Sequence, residues 1–199
     1  EDEEAAKPLE KGVVTWQAKL ATFDRTAYRV ALSRLLVQYE KASATTIDAK
    51  SFDAIGLKVQ TSNAPGLATP RALVDATISW LIGRGFEEEN VFLLDLHSRG
   101  LRSAGYLPGL SVGGKKYRSF SVKVLSEGGY FRPEWFHESP LPPSPDHSVQ
   151  VRLAYPDDLK AQWREGRRSY LPTPLMLGKV GWINLPVAKD SASLGVEAA

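Results

Sequence analysis

The sequence predicts an α/β fold built on a mainly parallel sheet, with βαβ units flanked by helices, and three observations predict it. Residues 52–59 are apolar on both alternating faces through their middle, as a strand buried on both sides must be. From Thr69 the signals of a helix start agree: Thr69 is an N-cap type, Pro70 suits a first helical position, and Leu73, Ala76, Thr77, Trp80 and Leu81 fall on one face. Residues 91–95, Val-Phe-Leu-Leu-Asp, form a second apolar run of strand length. Strand, helix and strand at these lengths make a right-handed βαβ unit with parallel strands.

The remaining elements follow in chain order. Residues 1–12 are an acidic lead-in, and residues 13–199 form a single α/β domain with an antiparallel, proline-rich insertion at about 111–156. Residues 13–16 are a short strand candidate. Asp24 then offers a cap to a helix whose Tyr28, Ala31, Leu32, Leu35, Leu36 and Tyr39 lie along one inward stripe. Gly83 and Gly85 stop the second helix, and residues 98–105 suggest a short third one. Gly113-Gly114-Lys115 is a turn leading into residues 117–124, where Phe120, Val122 and Val124 alternate with Ser119, Ser121 and Lys123. Val149, Val151 and Leu153 repeat that alternation, so a small antiparallel section packed on one face is expected in the 115–155 region. Residues 133–145 are rich in proline and predict a long surface loop. A brief helix at 157–163 and a buried strand at 180–187 complete the reading.

Composition narrows the function classes. Hydrophobic residues at 43% and charged residues at 24% describe an ordinary globular chain, and a net charge of +2 without a dense basic run gives no case for nucleic acid. The short basic stretch 164–168 contains Glu165 and fits a solvated face. The absence of cysteine removes disulfides, thiolate nucleophiles and Cys-ligated metal sites, so no iron–sulfur cluster is expected in this chain. No apolar run reaches the roughly 18 residues of a membrane span. The start at Glu1, with no Met, gives the expectation of a processed N-terminus; export with a removed signal peptide explains it, and so does trimming.

Three polar clusters follow apolar strands, where α/β proteins place ligands. Residues 59–71 carry Thr61, Ser62, Asn63, Gly66, Thr69 and Arg71 between a strand and a helix N-terminus, a place where free N–H groups and the helix dipole favour an anion. Gly66 would allow close backbone approach. The same residues also serve a plain turn and cap, and the loop is neither a Walker P-loop nor a dinucleotide fingerprint. Asp95 and His97, two apart after the second strand, project to one side; they suit an acid/base pair, two ligands of a metal, or a cap and an exposed loop residue. Asn184, Lys189 and Asp190 end the last strand, with Lys189 placed to neutralise an anion and Asp190 to act as base, or the two as a surface ion pair. His137 and His147, with Glu138, Asp146, Trp135 and Phe136, belong to the proline-rich loop, as a lid or as a surface excursion.

Three stretches together resemble the widespread family known as domain of unknown function 362: residues 55–61 with Thr69-Pro70, residues 91–95 followed by 101–106, and residues 182–190. The likeness runs from about residue 24 to the end. It implies an α/β fold, sites at these strand ends, and a chain that in relatives continues beyond the Lys-Asp pair. It also implies export by twin-arginine signals in some members. Gln60 stands where the family has Asn in a Lys-x-Asn turn, and Ser191 where many relatives have His. A fainter similarity, at the level of analogy, links the strand, Thr-Pro helix and strand to the N-terminal domain of nickel-pincer lactate racemases. The expected function is therefore binding of a small phosphate- or carboxylate-bearing ligand by Thr61, Ser62, Asn63, Gly66, Thr69, Arg71 and Asn184. Asp95, His97, Lys189 and Asp190 are the acid/base candidates should the domain be an enzyme. The alternative is a non-catalytic interaction module that uses the proline-rich loop.

Overall fold

The computed structural model describes residues 15–138, 168–191 and 195–197. A five-stranded sheet organises them, in the order β3-β4-β2-β1-β7, with β1 Ala54–Val59, β2 Val91–Asp95, β3 Lys116–Tyr117, β4 Phe120–Val124 and β7 Val180–Leu185. β1 runs parallel to both β2 and β7, and β2 runs parallel to β4, so β4, β2, β1 and β7 form one parallel sheet with β3 as an antiparallel edge. Two small antiparallel pairs stand apart: β5 Phe131–Glu138 with β6 Arg168–Pro172, and β8 Lys189–Ser191 with β9 Gly195–Glu197. This is a mixed α/β fold.

The helices are α1 Arg25–Ser43, α2 Arg71–Gly83 and α3 Ser98–Ser103. Asp24 caps α1 as its sequence position predicts, its carboxylate accepting from the Ala27 N–H at 2.9 Å. α1 nevertheless buries none of its residues fully, so the expected inward stripe is only half-covered. α2 is the tightly packed helix: Val74, Ala76, Thr77, Ile78 and Leu81 are buried. Their apolar surface meets Ile55, Leu57 and Val59 of β1 and Val91 and Leu93 of β2 in the main core. Phe92, Leu94 and Leu125 form a second, smaller cluster on the opposite face. Apolar positions on both faces of β1 and β2 follow from a central place in a parallel sheet.

Several expectations change. Residues 117–124 are not one strand of a separate antiparallel section: the chain turns at Arg118, which has φ +56°, and β4 joins the main sheet as a parallel strand. Its alternation records one covered face rather than its pairing partner. Pro133 to Glu138 lie in strand β5 instead of a loop, with a register shift between Phe131 and Phe136 that accommodates the proline. β7 is an edge strand with Trp182 39% exposed, not a fully buried one. Thr15 and Trp16 show no strand. The lead-in, residues 13 and 14 of the first strand candidate, residues 139–145 of the proline-rich stretch, Asp146, His147, the strand at 149–153 and the helix at 157–163 lie outside the described residues. Among the described residues no helix is long and apolar enough to cross a membrane.

Candidate functional site

The sheet order defines where a ligand crevice would open. From β1 the chain builds outward through β2 and β4 and then returns to the other side of β1 with β7, so the reversal lies between β1 and β7. Ligands of open α/β sheets sit outside the strand ends at such a reversal. Here that crevice is filled. The Thr69 hydroxyl accepts from the Gln60 N–H at 2.8 Å and donates to the Leu185 carbonyl at 2.6 Å. The Gln60 side-chain oxygen accepts from the Val187 N–H at 2.7 Å, and the Tyr106 hydroxyl donates to the Thr69 carbonyl at 2.6 Å. Gln60 and Thr69 are 6% and 2% exposed, so both are structural.

Thr69 is consequently not the N-cap of α2. Pro70 takes that position and makes no side-chain capping bond, while the Thr69 hydroxyl ties β1 to β7. Being buried and doubly bonded, Thr69 offers no hydroxyl to a ligand. Arg71, the first residue of α2, is turned toward Gly105, where an added Cβ would stand 3.2 Å from its Nη1. Its guanidinium also acts on the buried Tyr106.

An open cleft of about 560 Å³ lies on the other side of β1. Three successive parallel strands deliver its walls. The loop after β1 gives Thr61, Ser62 and Ala64; the end of β2 and the first turn of α3 give Asp95, His97, Ser98, Arg99 and Gly100; the turn after β4 gives Ser126 and Glu127. Bonds from the Leu125 N–H to the Asp95 carbonyl and from the Ser126 N–H to the Leu96 carbonyl, both 3.0 Å, carry the β2–β4 pairing onward and bring that third wall in.

Asp95 is fixed from two sides. The Thr61 hydroxyl donates to one carboxylate oxygen, and the Leu96 N–H donates to the other at 2.7 Å. Gly100 explains how α3 comes close enough: a Cβ there would fall 2.5 Å from the Thr61 hydroxyl oxygen and 2.8 Å from its carbonyl. Only glycine permits this approach. On the outer lip, a hydrogen bond from Ser98 and then one from Lys115 hold the exposed Glu127 carboxyl below its ordinary range, and Lys115 Nζ stands 3.1 Å from it. His97 and Arg99 are exposed on the cleft wall. The cleft thus holds one guanidinium, one imidazole, two carboxylates and several hydroxyls.

The structure brings together Thr61, Ser62, Asp95 and His97 of the residues singled out by sequence. Asn63 and Gly66 belong to the same loop, closed by the Leu67 N–H to Asn63 carbonyl bond of 3.0 Å, but they do not line the cleft. Gly66 meets nothing within 4 Å of a Cβ position, so it makes no close approach. Asn184 sits on β7 opposite Lys58, in a separate groove with Trp182. Lys189 and Asp190 follow β7 in the β8–β9 pair, opposite Glu197 and Val196. Among the described residues no group of three or more His, Asp or Glu is arranged to hold a metal, so Asp95 and His97 gain no third ligand there. Ser98 and Arg99 fall in the polar stretch that follows β2, although the sequence assigns them no role there, and sequence reasoning missed Gly100, Ser126 and Glu127; the polar turn after β4 signals the last two once β4 is known to be parallel.

Compared with protein-family models, with curated proteins and with solved structures, the chain finds no match. The family resemblance rests on the sequence motifs alone.

Proposed function

We propose that this α/β domain binds a small anionic ligand in the cleft at the ends of β1, β2 and β4. The observation that supports it is the convergence of three strand ends on one open, polar cleft, while the crevice expected from the sheet order is closed. Arg99 meets the phosphate or carboxylate of the ligand as an exposed cation on the wall, with the exposed His97 ring beside it as a hydrogen-bond donor. Asp95 and Glu127 would repel a bare anion, so the ligand also carries hydroxyl or ammonium donors that these carboxylates accept from. If the domain is an enzyme, Asp95 is its base: Thr61 and the Leu96 N–H orient it before any ligand arrives. The likeness to domain of unknown function 362 covers two of these three strand ends, those of β1 and β2.

Titration calorimetry with a panel of small phosphates and carboxylates bearing hydroxyl or amino groups tests this reading. R99Q is expected to weaken binding about tenfold, as loss of a charge-assisted pair does, with D95N reducing selection for the hydroxylated members. Crystals soaked with the tightest binder should show it beside Arg99. Density only at other surfaces, or affinity untouched by R99Q, would remove the proposal. The interaction-module alternative draws on Trp135 and Phe136 of the β5–β6 ribbon: Phe136 meets Tyr170 edge-on at 6.2 Å, and Arg132 lies over Trp135 at 5.2 Å.

A further inference from the structure

A second polar groove, of about 620 Å³, runs between α1 and the last turns of α2, remote in sequence from the cleft. Arg29, Ser33 and Arg34 line it from α1, and Ser79, Trp80 and Arg84 from the α2 side. Among the described residues no carboxylate lines it. Arg84 is held in place: its Nε donates to the Ile47 carbonyl at 3.1 Å, its Nη2 is paired with Glu40, and its guanidinium lies 5.1 Å from the centre of the Trp80 ring. Arg25 closes the same side through its 2.5 Å bond to the Ser79 hydroxyl.

Arg29 and Arg34 differ from these. Both are exposed, and among the described residues neither takes part in an ion pair or a hydrogen bond. Two guanidinium groups and the Ser33 hydroxyl therefore stand at one groove with unused donors, beside a third guanidinium whose position is fixed. The carbonyl end of α2 opposes an anion with roughly half a charge, which two unpaired full charges outweigh.

We infer that this groove binds the dianionic phosphate of a phosphomonoester, with Arg29 and Arg34 as its charged donors and Ser33 as a neutral one. Two unit charges match the dianion, and the guanidinium fork matches its oxygens. A soluble ester and a lipid headgroup present the same group. The proposal is independent of the reading of the cleft.

The test uses the full chain with two probes that lack the hydroxyl and ammonium donors the carboxylates of the cleft call for: methyl phosphate followed by calorimetry, and phosphatidylcholine vesicles with and without phosphatidate followed by co-sedimentation. Saturable binding of either probe, weakened at least about tenfold in R29Q/R34Q and unchanged in R99Q, is the expected result, and the probe that binds identifies the source. Both substituted arginines are exposed, and an unchanged thermal melt confirms that the variant folds. Binding of neither probe, or equal binding by wild type and R29Q/R34Q, overturns the inference. Binding lost in R99Q and kept in R29Q/R34Q assigns the phosphate to the cleft and overturns it too.

Discussion

Two gaps flank the central strand β1 at the same end of the sheet, and they have opposite fates. Between β1 and β7, Gln60 and Thr69 turn their polar side chains onto backbone groups of the neighbouring strand, and the gap becomes part of the protein interior. Between β1 and β2, one residue further along, Thr61 turns its hydroxyl onto a carboxylate, and the gap stays open to solvent. The difference teaches that sheet order alone does not place a ligand. Whether the polar groups at a strand end are spent on backbone or left on side chains decides it.

The contrast can be broken most strongly at Thr69. T69V keeps the shape and leaves the Gln60 N–H and the Leu185 carbonyl buried without a partner, so denaturant unfolding should show a loss of about 3 kcal/mol. A loss within measurement error would mean that the closed gap is not held shut by this hydroxyl. G100A acts on the open gap: the added methyl group overlaps Thr61 at 2.5 Å, with an expected cost of about 2 kcal/mol and a displaced Asp95. Its diagnostic is that ligand affinity falls as well, which T69V should leave largely intact; the reverse pattern would interchange the roles assigned to the two gaps.

The smallest effect is one of pH. The Glu127 carboxyl is held below its ordinary value of 4.5 by Ser98 and Lys115, so its folded state is favoured by ionisation. This contribution is fully present above about pH 4.5 and is lost as acid carries the solution down through the depressed folded value. A carboxyl-detected NMR titration should show Glu127 midpoints below 4.5 in wild type and closer to that value in S98A. Identical midpoints in the two proteins would show that Ser98 does not hold the lip of the cleft.

Much of the fold is legible in the sequence for identifiable reasons. Asp24 announces α1 because its capping partner is three residues away. β1 and β2 announce themselves because parallel strands covered on both faces need apolar residues throughout. Thr69 misleads because its true partner, the Leu185 carbonyl, is 116 residues distant, and a threonine before a proline looks the same locally in either role. β4 misleads because Ser121 and Lys123 lie on its less covered face, so a parallel strand acquires the alternation of an antiparallel one. Of the site, Thr61, Asp95 and His97 are legible as polar residues after strands. Gly100 is not, since a glycine within a short helix gives no hint that another backbone lies against it.

The tie between the Gln60 side chain and the Val187 N–H joins positions 127 residues apart, and the β1–β7 pairing spans a similar distance. During synthesis β1, α2, β2 and β4 leave the ribosome well before β7 exists. Until then one side of β1 presents a bare row of N–H and C=O groups and a solvent-facing Gln60, an invitation to foreign strands. Arrival of β7 is therefore the step that covers this side of β1. Substitutions at Gln60 or Thr69 should then lower the yield of native protein in cells before they alter what the finished molecule binds.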